Sequence, residues 1–167
     1  MRKLSNTFKV LAVGAFVLSS CSNQEPDLLT VRHFHLQDVD PVDDKSEMAR
    51  GDQLYRLRGA VTMEERKARL GHYYTVSWQN DQVGGGDLEV VMDYQQAATA
   101  SKIIRMSRTV PGEEESGRVE FKIAGEDYRV GGRVLAWRVQ LRRGAKVLAE
   151  EHSYLWKDQA DSGRQEG

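Results

Sequence analysis

His33 and His35 stand two residues apart, so on a strand both imidazoles project to one face, close enough to share a metal ion. Nothing in the sequence supplies a third ligand, because His72 and His152 belong to other segments. The pair therefore reads as solvated or hydrogen-bonded histidines, and no metal site is expected. Asp38, Asp40, Asp43 and Asp44 surround Pro41 in an oxygen-rich stretch of the kind that suits calcium. The glycine and closing glutamate of an EF-hand loop are missing, which leaves a hydrated acidic loop. Gly84-Gly85-Gly86 precedes a strand pattern rather than a helix, so no helix N-terminus follows to receive a phosphate, and a turn is expected. Ser77 and Ser107 lack the G-x-S-x-G surround of a nucleophile elbow. Trp78, Trp137 and Trp156 could present an aromatic platform to sugars, but each lies in register with apolar neighbours, which favours core packing with the indole N–H on a backbone partner. Glu113-Glu114-Glu115 reads as a solvated loop tip. No catalytic residue and no cofactor are expected.

The remaining chemistry is at the N-terminus. Arg2, Lys3 and Lys9 precede an apolar run from Val10 to Leu18, followed by Ser19, Ser20 and Cys21, the single cysteine of the chain. As a helix the run would reach about 14 Å, half of a bilayer core, so it is too short for a permanent span. A basic start, an apolar stretch and small residues before a cut make an export signal. Leu18-Ser19-Ser20-Cys21 resembles a bacterial lipoprotein lipobox. The resemblance implies a diacylglyceryl thioether on Cys21, cleavage just before it, and, in Gram-negative bacteria, an added acyl chain on the new amino group. Two or more chains hold a protein on a membrane, whereas one does so only marginally. Position 22 is serine rather than aspartate, which by the same resemblance implies the outer membrane if the cell is Gram-negative.

Removing Arg2, Lys3 and Lys9 from the 24 basic residues leaves 21 against 25 acidic ones, a net charge of −4. A mildly acidic domain lacks the cationic footprint that holds nucleic acid. About 147 residues remain, enough for one domain with a proper core. The expected organisation is a signal peptide over 1–20, a lipidated cysteine and tether over 21–27, a folded domain over 28–156 and a flexible tail over 157–167. The tether spans about 20 Å at most, so the domain sits close to the lipid.

Within the domain the dominant hydrophobic period is two. Val119, Phe121 and Ile123 alternate with charges; Leu88, Val90, Met92 and Tyr94 repeat the pattern, as do His72, Tyr74, Val76 and Trp78. Leu135, Trp137, Val139 and Leu141 form another such row, joined across Arg143-Gly144-Ala145 to a strand carrying Leu148, His152, Tyr154 and Trp156. Strands are expected near 28–37, 54–61, 72–79, 88–97, 102–110, 118–124, 127–130, 133–142 and 146–156. Phe121, Ile123, Trp137 and Val139 should be buried. Asp38 to Gly51 is polar and reads as a loop. Thr62-Met63-Glu64-Glu65 matches a capping box, so 63–70 is a short helix or else a tight turn between strands.

Seven to nine strands make an all-β antiparallel sandwich, similar in pattern to an immunoglobulin or fibronectin type III domain. A fold of that kind carries no function by itself. The expected role is that of a non-enzymatic interaction or assembly module of the cell envelope, attached to the membrane through Cys21 and working on an envelope protein partner. The rival readings are a domain binding carbohydrate or calcium, and an enzyme whose groups meet only in the fold.

Overall fold

The computed structural model describes residues 27–39, 46–99 and 101–156. The lipobox with Cys21, the tether as far as residue 26, Asp40, Asp43 and Asp44, and the tail over 157–167 lie outside the described residues.

Among the described residues seven strands form two antiparallel sheets, the expected sandwich. β1 (Leu29–Leu36), β2 (Gly71–Gln79) and β5 (Ser116–Ala124) make one sheet in that order; β4 (Ile104–Val110), β3 (Leu88–Gln96), β6 (Val134–Arg143) and β7 (Lys146–His152) make the other. In the constant-type immunoglobulin order the fourth strand joins the first sheet, whereas here β4 pairs with β3. The period of two has the expected cause. Tyr74, Val76 and Trp78 from β2, with Phe121 and Ile123 from β5, interleave with Leu88, Val90, Met92, Val139 and Leu141 from the other sheet. Trp137 is only partly buried and packs against the edge of that core, which corrects its expected burial. β6 and β7 form the expected hairpin, with Gly144 at φ 57° in the two-residue turn.

Asp93 stands on the outer side of β3 yet is 1% exposed. Arg105 on β4 donates to both of its carboxylate oxygens at 2.6 and 2.9 Å, and Arg138 on β6 donates at 3.0 Å. Burial raises the Asp93 carboxyl, and the bonds and charges of the two arginines outweigh it, holding the group below its usual range. Three strands are thereby pinned at one point.

Three short helices accompany the strands among the described residues, two of them where a loop or strand was expected. The segment expected as a polar loop followed by a strand over 54–61 is largely α1 (Glu47–Leu57), opened by Ser46, whose side chain accepts from the Ala49 N–H. Its only buried residue is Gln53, which donates to the Asp38 carbonyl at 3.0 Å, while Met48, Leu54 and Tyr55 face out. Arg56 lies 3.9 Å over the ring of Tyr73. The helix is held by polar contacts, so its apolar spacing misleads. At 62–70 the capping box forms and α2 (Met63–Lys67) is the helix of the two readings. The strand expected at 127–130 is instead α3 (Glu126–Gly131), bracketed by Gly125 and Gly132 at φ 63° and 73°. β7 stops at His152; Tyr154 is 97% exposed, whereas Trp156 folds back under Arg138.

Candidate functional site

β1 runs against β2 with His33 opposite Tyr74 and His35 opposite His72. All four side chains share the face that continues into the core at Val76 and Trp78, so the register stacks their rings at one end of the space between the sheets. His35 and His72 stack with centroids 3.8 Å apart at 12°, and His33 stacks on Tyr74 at 4.5 Å. Tyr128 from α3 meets His35 and His72 edge-on, and Trp137 from β6 meets Tyr74 the same way.

The hydrogen bonds assign the protons. The Val134 N–H donates to His72 Nε2 at 3.1 Å, which makes that nitrogen an acceptor. His72 Nδ1 therefore carries the hydrogen and donates to His33 Nε2 at 2.7 Å. Gln37 donates to His35 Nδ1 at 3.1 Å, leaving His35 Nε2 to donate to the Tyr128 hydroxyl at 2.9 Å. The bonds accepted by His72 Nε2, His33 Nε2 and His35 Nδ1 require these three imidazoles to be neutral. Burial, followed by the charges of His35, His33 and Arg133, lowers the pKa of His72 to about 3. His33 stands at the exposed rim, but the rings against it keep water from its Nε2; that desolvation, with the charge of His35, lowers it to about 4. His35 is lowered by desolvation and then by Arg133, with Asp38 opposing.

The expected pair thus gains a third histidine that spacing alone could not place. Even so, both nitrogens of His72 are spent inside the network, and no group of three or more metal-ligating side chains among the described residues is disposed to hold an ion. His152 lies apart, on β7, beside the Ser153 carbonyl. The ring cluster floors a cleft of about 480 Å³ whose other walls include Arg133, Leu135 and Leu155. Leu135 and Leu155 are 37% and 63% exposed. Among the described residues, this is where apolar side chains and polar rings meet at a sandwich end.

The other candidates are structural. Gly84-Gly85-Gly86 is a turn tied to Gly112 by the Gly84 N–H, at 2.8 Å. Ser77 faces away from His72, because the two occupy alternate sides of β2. Ser107 lies opposite Val91 on the outer side of the other sheet. Trp78 and Trp156 are buried and Trp137 is partly so, which removes the aromatic platform. The indole N–H groups of Trp78 and Trp156 find no acceptor among the described residues, contrary to expectation. Glu113 to Glu115 form an exposed tip, anchored where Asn80 donates to the Gly112 and Glu114 carbonyls. No family model matches the chain, and no curated protein or solved structure does either.

Proposed function

We propose that the protein is a lipid-anchored lipoprotein of the bacterial envelope whose sandwich, similar in strand order to the fibronectin type III arrangement, acts as a non-enzymatic interaction or assembly module. The signal segment ending in Cys21 supports the anchor. The observation that carries the module is the position of the cleft relative to the start of β1, where the proposed tether would enter the domain. β1 begins at Leu29, a few residues after the tether, and His35 stands six residues further along the strand, about 20 Å away at 3.3 Å per residue. The cleft with Leu135 and Leu155 therefore occupies the end of the sandwich that points away from the lipid. Its histidines are neutral, with His72 bonded to His33 and His35 bonded to Tyr128, which supports a rigid floor rather than proton transfer.

Cross-linking in intact cells followed by extraction tests this reading. Wild type should yield a defined envelope protein, and Leu135→Asp with Leu155→Asp, both at exposed positions, should lower that yield at least tenfold while the fold persists. Equal recovery with the double variant, or no defined partner for wild type, would reject the module.

A further inference from the structure

A second cavity, of about 420 Å³, opens on the outer side of the three-stranded sheet, between β1, β2, β5 and α1. Across that sheet the register aligns Arg32 with Thr75 and Thr75 with Glu120, and sets Arg118 one row nearer the start of β1. Arg56 and Asp52 descend from α1. Charges of both signs line one cavity, yet only one pair closes: Arg56 donates to Glu120 at 2.6 Å. Arg118 and Asp52 have no ionic partner among the described residues, and the one recorded contact of Arg32 is with the Met48 sulfur at 3.8 Å. Opposite charges that line a common space without meeting are complementary to a ligand that carries both.

We infer that this cavity binds a zwitterionic phosphate of the phosphoethanolamine type, its phosphate between Arg32 and Arg118 and its ammonium on Asp52. Two strand spacings and an offset of one row, about 12 Å together, separate the two arginine backbones, so two long side chains can close on one anion above Thr75. Guanidinium forks suit carboxylate and phosphate alike. Two forks and the Thr75 hydroxyl offer more donors than the two oxygens of a carboxylate can use, and the additional oxygens of a phosphate take up the surplus. Glu120 stays neutralised by Arg56, whose guanidinium is fixed over Tyr73.

The ligand could be a free metabolite or a lipid headgroup. The headgroup source rests on the proposed anchor, which places the Arg118 row beside the lipid; binding of the soluble compound does not. Calorimetric titration of the full chain in detergent with phosphoethanolamine and with inorganic phosphate tests the site. Wild type should prefer phosphoethanolamine. Asp52→Asn should remove that preference, and Arg32→Gln with Arg118→Gln should weaken both ligands by roughly tenfold to a hundredfold. Circular dichroism checks that each variant is folded. No binding by wild type, or unchanged binding by the double arginine variant, overturns the site. In bilayers of phosphatidylglycerol, added phosphatidylethanolamine that lowers the apparent affinity for the soluble compound assigns the headgroup. An unchanged affinity assigns the metabolite, and both results uphold the site. Failure of the anchor at Cys21 would leave the detergent titration untouched, so the two proposals fail separately.

Discussion

His72 is 3% exposed and accepts a backbone N–H through a nitrogen that protonation would occupy. Its folded pKa of about 3 lies below the 6.5 of an unperturbed imidazole, so between these values the unfolded chain binds a proton that the folded chain excludes. Stability therefore falls as the pH drops through that window. Between about pH 6.5 and 4.5, above the range where most carboxylates titrate, His72 accounts for a loss on the order of 2 kcal/mol. His33, at the exposed rim, adds less. Thermal unfolding followed across this interval should show the midpoint falling by several degrees in wild type and by about half as much in His72→Gln. Parallel pH profiles for the two proteins would mean that the imidazole is not held neutral by the fold.

At the scale of elements, burial separates two tryptophans of similar sequence context. Trp78 is 2% exposed, with its ring against Gly117, where an added Cβ would come within 2.6 Å of it; Trp137 sits at the core's edge. Trp78→Ala should cost roughly 3–5 kcal/mol in urea unfolding, and Trp137→Ala clearly less. Equal losses would contradict the packing. The strands were legible in the sequence because alternation of Tyr74, Val76 and Trp78, or of Phe121 and Ile123, reports directly on a half-buried sheet. α1 and α3 were not, because what holds them is tertiary and polar: Gln53 on the Asp38 carbonyl, Arg56 on Tyr73 and Glu120, Tyr128 on His35. The candidate site divides in the same way. Spacing placed His33 and His35 on one face, but only the β1–β2 register brings His72 beneath them, and no local pattern marks Arg32 and Arg118 as facing one cavity.

For the whole molecule, orientation follows from attachment. No helix among the described residues is long and apolar enough to cross a membrane. The proposed lipid on Cys21 and its short tether would turn the start of β1 toward the bilayer and the histidine cleft away from it, with the arginine-lined cavity between them on the flank of the three-stranded sheet. Every functional assignment that depends on geometry relative to the membrane depends on that one covalent bond. Its most direct test is the mass of the N-terminal peptide of the protein purified from the membranes of a Gram-negative host, beside the same peptide from Cys21→Ser. The expected result is a peptide that begins at Cys21 and carries a diacylglyceryl group with a further acyl chain, and an uncleaved, unlipidated product from the variant. A wild-type peptide that begins elsewhere, or that carries Cys21 as a free thiol, would contradict it.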